Sequence, residues 1–210
     1  MFFFVTLLLS KNNSKLNTML RKLFIIALCL VATIFTTQAQ TQTPPDNEIW
    51  YTTTDGKIAD LEFGDEPVSE NGEDFEIVSH TYENGRGVIR VNKPIKVFGS
   101  YAFYGCSSLT SITIPDSVTT IGYSAFSGCS SLIIITIPDS VTSIKSYAFS
   151  YCSSLASVYC KATTPPTGGD NMFRYDALWR TIYVPTESVD AYKSAEYWSD
   201  YASAIVGYNF

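Results

Sequence analysis

Histidine occurs once in this 210-residue sequence, at His80, and that scarcity restricts the available chemistry. A Ser-His-acid triad needs a nucleophile held on a sharp turn, and no G-x-S-x-G motif is present. Zinc needs paired ligands at short spacing, yet there is neither C-x-x-C nor H-x-x-x-H. Glycine motifs that cradle phosphate are absent too. Between Ser79 and Thr81, His80 reads as a partly exposed strand residue. Basic residues are scarce: 14 Lys and Arg against 20 Asp and Glu. Four of the basic ones (Lys11, Lys15, Arg21, Lys22) precede Ala39, so a chain processed there carries about −10. That balance excludes nucleic acid or an anionic membrane surface as the main partner. Glycoside hydrolysis needs two acids across a cleft, whereas Asp116 and Asp139 repeat in one P-D-S turn, where their side chains serve the turn. No catalytic, metal or cofactor site is expected.

Long hydrophobic runs are also missing. Leu23 to Phe35 falls short of the roughly 20 residues that span a bilayer. With Arg21-Lys22 before it and Thr37-Gln38-Ala39 after it, the run reads as an export signal cleaved before Gln40. Met19 stands at the natural beginning of such a signal, so Met1 to Thr18 is expected to be an upstream start artefact or a longer leader. An uncleaved anchor using Phe2 to Leu9 as well is the alternative. Leu28 is bulky where a lipid-attachment signal at Cys29 needs a small residue, which argues against lipidation. Once processed, the chain is expected to be secreted or on the cell surface, with the periplasm as alternative, and without stable membrane insertion.

What the sequence does have is a repeat. Phe98 to Thr120 reads FGSYAFYGCSSLTSITIPDSVTT, and Ile121 to Ser143 reads IGYSAFSGCSSLIIITIPDSVTS. A third copy starts at Ile144 and decays after Cys160. The period is 23 residues, so Phe103, Phe126 and Phe149 are equivalent, as are Cys106, Cys129 and Cys152. Ile135 and Ile137 alternate with Thr136, which is strand spacing, and Pro138-Asp139 ends the strand in a turn. Val141 and Ile144 bring the chain back to the core, and Ala148 permits close contact with the next copy. A unit of this size buries too little apolar surface to offset its own conformational entropy, so the copies must stack. A fixed period of this kind marks a repeat solenoid, mainly β, whose strands pair in parallel.

The x-x-A-F-x-x-C-x-S-L-x-x-I-x-I-P-x-S-V pattern over Phe98 to Cys160 resembles the BspA-like leucine-rich repeats of bacterial surface proteins. The resemblance implies a short, right-handed, curved solenoid of 23-residue rungs and a secreted or cell-surface binding or adhesion role, with no chemistry. The implied partner is a protein, either a host matrix protein or a bacterial surface protein, with a glycan as the second class. A periplasmic or envelope scaffold without a host ligand is the alternative function.

The flanks are read as end pieces. Residues 1–39 are the signal or leader, 40–47 a linker, 48–97 a β-rich N-terminal cap with a degenerate first rung, 98–160 the repeats, and 161–210 a C-terminal strand and helical cap. Within the first cap, Ile49 to Thr54 and Lys57 to Leu61 flank Asp55-Gly56, a hairpin signal. Asp60 to Glu76 holds eight acidic residues and no basic one; it lacks the D-x-D-x-D-G order of a calcium loop and reads as a solvated acidic loop. Phe75 to Ser79 and Gly87 to Val91 form a second expected strand pair around Asn84-Gly85, with Ile89 and Val91 one period before Ile112 and Ile114. Towards the C-terminus, Ile182, Val184 and Pro185 restore the I-x-I-P signature. Thr186 is expected to cap a helix beginning near Glu187, with Val189 and Tyr192 inside, and Trp198, Tyr201, Ala202 and Ile205 to form a helical covering face.

Cys106, Cys129, Cys152 and Cys160 fall at core positions and are expected to be free, buried thiols, since cysteine packs as a small hydrophobe. Strand residues between the core positions face outward. One expected row is Arg90, Thr113, Thr136, Tyr159 and Tyr183; a second is Val88, Ser111, Ile134, Ser157 and Thr181. Such periodic faces are where repeat proteins bind partners, and Tyr and Arg are frequent anchors. Rows of β-formers on a solvated sheet are the plainer reading of the same residues.

Overall fold

The computed structural model describes residues 44–59, 76–177 and 179–210. The signal segment and the acidic loop over 60–75 lie outside the described residues. From Pro44 to Phe210 the chain forms one compact, mostly β unit with the character of a repeat fold.

Eleven strands occur among the described residues: β1 (Glu48–Thr53), β2 (Ile77–Glu83), β3 (Arg86–Val91), β4 (Val97–Phe98), β5 (Leu109–Thr113), β6 (Thr120–Ile121), β7 (Ile134–Ile137), β8 (Ser143–Ile144), β9 (Ser157–Cys160), β10 (Thr181–Pro185) and β11 (Ile205–Tyr208). They make an eight-stranded sheet in the order β11-β10-β9-β7-β5-β1-β3-β2 and a three-stranded sheet β4-β6-β8. From β5 to β11 every neighbouring pair is parallel. Ile112 lies beside Ile135, and Ile135 beside Val158, so equivalent residues of successive copies are hydrogen-bonded neighbours. Each copy also adds a short strand to the smaller sheet, where Ile121 pairs with Ile144.

Alternation explains which side chains go inside. In β7, Ile135 and Ile137 are buried while Ile134 and Thr136 are half-buried, and β9 repeats the pattern. Phe103, Phe126, Phe149 and Phe173 form a column of stacked rings with centroids 5.2, 5.2 and 5.3 Å apart. The turns carrying them are themselves laddered: Phe103 N–H donates to Ala125 O and Phe126 N–H to Ala148 O, both at 2.7 Å, and Phe149 N–H to Met172 O at 2.8 Å. Ala125 and Ala148 are fully buried, which leaves room for this close approach. The four cysteines among the described residues are buried; Cys129 Sγ donates to Phe103 O and Cys152 Sγ to Phe126 O, each at 3.1 Å.

The region before the repeats departs from expectation in two ways. Among the described residues no hairpin forms around Asp55-Gly56: both edges of β1 are taken, by β3 on one side and β5 on the other, each antiparallel. The chain at Lys57 to Ala59 instead folds back on β1, with Thr53 Oγ1 donating to Lys57 O and Ala59 N–H to Tyr51 Oη. In consequence β3 does not stack on β5, because β1 stands between them. The expected first rung is therefore split, since Val97 and Phe98 do join the smaller sheet in register with Thr120 and Ile121. The Asn84-Gly85 turn forms as expected, with both residues at positive φ (52° and 79°), as a tight hairpin of this type requires.

At the other end β10 forms at the I-x-I-P signature. Thr186 does not cap the following helix; Thr186–Ser188 is a 3-10 turn and helix α1 spans only Val189–Ser194. Tyr192 is buried, donating its hydroxyl to Ala162 O at 2.8 Å, and Val189 packs against the core. The helical face expected from Trp198 to Ile205 is absent. Ser199–Ala204 is a 3-10 segment, and Ile205 opens β11, which completes the free edge of β10. Trp198 is buried and its indole N–H donates to Pro166 O. Beneath the last turn, the buried Asp176 carboxylate accepts from Cys152 N–H at 3.0 Å and from Arg180 at 3.3 Å.

Candidate binding face

The half-buried face of the eight-stranded sheet carries the expected rows. Thr113, Thr136, Tyr159 and Tyr183 are consecutive neighbours across β5, β7, β9 and β10. Ser111, Ile134, Ser157 and Thr181 form the second row. Arg90 does not belong to the first. With β1 inserted, Trp50 occupies the place beside Thr113, and Trp50 in turn pairs with Val88. Val88 thereby moves out of the second row, where Thr52 now stands beside Ser111, their hydroxyls 2.6 Å apart.

Arg90 instead pairs with Glu48, donating Nε and Nη2 to Oε1 at 2.8 and 2.5 Å. Glu48 Oε2 accepts the Trp50 indole N–H at 2.8 Å, and the Arg86 guanidinium lies 4.3 Å from the centre of the Trp50 ring. Burial opposes ionisation of Glu48, but the bonds from Trp50 and Arg90 and the charges of Arg90 and Arg86 outweigh it and lower its pKa.

The C-terminal end of the face is aromatic. Tyr159 and Tyr183 stack with centroids 4.5 Å apart and planes 11° from parallel. Tyr208 stands edge-on to both, at 5.4 and 5.6 Å, and Phe210 lies 5.1 Å from Tyr208. Tyr208 and Phe210 are 43% and 52% exposed, so the cluster meets solvent. Burial, then the neighbouring Tyr183 and Tyr208, raises the Tyr159 pKa; its hydroxyl stays a neutral donor. Sequence reasoning missed Tyr208 and Phe210 by reading Ile205 as helical. The signal was the alternation of Ile205 and Gly207 with Val206 and Tyr208.

The face therefore offers Trp, Arg and Glu at one end, hydroxyls in the middle and four aromatic rings at the other. These are groups that bind by contact and hydrogen bonding. Among the described residues no group of three or more His, Cys, Asp or Glu side chains could hold a metal ion. His80 Nε2 is 2.6 Å from Tyr51 Oη, an arrangement that joins strand to strand.

A family model for the BspA type leucine-rich repeat region matches residues 77–197 in six copies. The chain belongs to the BspA type leucine-rich repeat family. In this BspA-type chain the match reaches well beyond Phe98 to Cys160, taking in β2 and β3 at one end and α1 at the other. No curated protein matches the sequence. Among the described residues no helix is long and apolar enough to cross a membrane.

Proposed function

We propose that this BspA-type chain is a non-enzymatic protein-binding module, exported and displayed at or released from the cell surface for adhesion. In this reading 23-residue rungs over residues 98–160 build a short right-handed solenoid. Residues 48–97 cap one end and 161–210 the other; 1–39 is the removed signal and 40–47 a linker. The partner is a protein of the host matrix or of another bacterial surface, bound on the face formed by Ser111, Thr113, Ile134, Thr136, Ser157, Tyr159 and Tyr183, with Arg90 at its N-terminal margin.

The observation that carries this reading is the partly exposed cluster of Tyr159, Tyr183, Tyr208 and Phe210 at the end of an ordered row of hydroxyls. Aromatic anchors beside adaptable polar groups are what protein interfaces select. Leucine-rich repeats as a class suggest protein–protein interaction. The test is an array of matrix and surface proteins probed with the chain from Gln40 and with its Tyr159→Ala/Tyr183→Ala variant. The reading expects a bound protein that is lost, by tenfold or more in Kd, in a variant that stays folded. Equal binding by both chains would contradict it.

A further inference from the structure

The turns that follow β4, β6 and β8 carry a second aromatic row, on residues that the strand face does not use. Tyr101, Tyr123 and Tyr147 are successive neighbours, with centroids 5.5 and 5.7 Å apart. Their turns are tied by backbone bonds, Tyr101 N–H to Tyr123 O at 2.9 Å and Tyr147 N–H to Asp170 O at 3.0 Å, so the row is rigid before any ligand arrives.

Tyr101 and Tyr147 hold φ of 64° and 60°, a left-handed conformation that disfavours a bulky residue. Tyr197 is held the same way at 63°. Nothing in the core repays Tyr101, which is 42% exposed; glycine would satisfy the backbone without strain. Strain kept for the sake of an exposed ring points to a use for the ring.

Tyr123, alone of the three, also lines a cleft of about 390 Å³ that Tyr197 helps to wall. Ser100, Ser146, Lys145 and Asp170 also line it. One cation and one anion cancel there, and neither side chain has a hydrogen-bond or ion-pair partner among the described residues. Hydroxyls, a cancelling charge pair and aromatic walls are complementary to a neutral polyhydroxylated ligand rather than to an ion or an apolar chain. Each of the three turns supplies one ring, although Ser124 stands at the position equivalent to Tyr101 and Tyr147 and the middle ring comes from the preceding residue. One ring per turn suits a ligand that is itself periodic. We propose that the Tyr101–Tyr123–Tyr147 row and its cleft bind a linear, neutral oligosaccharide, with successive sugar rings along successive turns.

The test is isothermal titration of the chain from Gln40 with linear hexasaccharides of glucose, mannose, xylose and N-acetylglucosamine, each beside its disaccharide. At least one hexasaccharide should bind, at least tenfold more tightly than its disaccharide. The variant Tyr101→Gly/Tyr123→Ala/Tyr147→Gly should lose that binding at least tenfold while still unfolding in one cooperative transition; relief of strained backbone at two positions works against the loss of the Asn171 bond to the Tyr147 hydroxyl. Tyr159→Ala/Tyr183→Ala should bind the sugar like the parent, so that failure here and failure of the protein-binding face are distinguishable. The proposal is overturned by silence from every hexasaccharide, by binding that does not grow with length, by retention in the triple variant, or by a row that captures only peptides.

Discussion

Phe126 and Phe149 stack with centroids 5.2 Å apart and planes 1° from parallel, although 23 residues of chain separate them. The same relation joins Phe103 to Phe126 and Phe149 to Phe173. A fully buried ring in such a column touches copies on both sides, and removing it opens a cavity that neither neighbour can fill. Phe126→Ala is expected to destabilise the chain by about 3–5 kcal/mol, and Tyr104→Ala, on an exposed turn, by less than about 1 kcal/mol. Urea unfolding followed by circular dichroism checks both.

Gly87 and Tyr51 lock the N-terminal strands together. A Cβ at residue 87 would stand 2.1 Å from a carbon of the Tyr51 ring, and that ring is held by bonds to His80 and Ala59. Gly87→Ala should therefore cost about 1–3 kcal/mol, the usual penalty for overpacking. A larger drop in the protection of β1 and β3 amides than of β9 amides, by hydrogen exchange, would locate the damage.

The thiols should be silent in the folded protein. Burial pushes Cys160 up to about 12, and the neighbouring Cys129 thiol together with burial raises Cys152. Only the thiolate attacks a disulfide reagent, so the native chain from Gln40 should react slowly at pH 8 and release all four groups on denaturation. Prompt reaction of the native chain, or fewer than four groups after unfolding, would contradict the buried free thiols.

His80 gives a pH signature. Burial lowers its pKa below the ordinary 6.5, so the folded chain binds its proton less readily than the unfolded one. The neutral ring's contribution is full above 6.5 and is lost as pH falls through the folded value. Asp176 titrates in the same window with the opposite sign, since burial, against Arg180, pushes its carboxyl up to about 8. The difference between parent and His80→Gln isolates the histidine: on going from pH 7.5 to 5.5, the parent should lose more stability than the variant.

Much of this architecture was legible because a stacked repeat writes its contacts into its period. Once Ile112, Ile135 and Val158 are seen at one spacing, their pairing in adjacent strands follows, as does the outward row from Thr113 to Tyr183. The Asn84-Gly85 turn was legible for a local reason, its two residues tolerating positive φ. What was hidden depends on distant edges. β1 has no partner marked in its own sequence; it fills the gap between β3 and β5, and so displaces Arg90 and Val88 from their rows. Trp198, Tyr201, Ala202 and Ile205 do have helical spacing, but Ile205 gains a full ladder on β10 by extending. The Tyr208 and Phe210 rings were missed along with it.

Excision of Ile121 to Ser143 tests the stacked-repeat account most directly. The cut joins Thr120 to Ile144, preserving the sequence of a short strand, and brings the strand at Thr113 beside the one at Tyr159. The account predicts a chain that still unfolds in one cooperative transition, with a maximum dimension in small-angle scattering shorter by about 5 Å, one strand spacing. A chain that fails to fold, or that folds with its length unchanged, would contradict it.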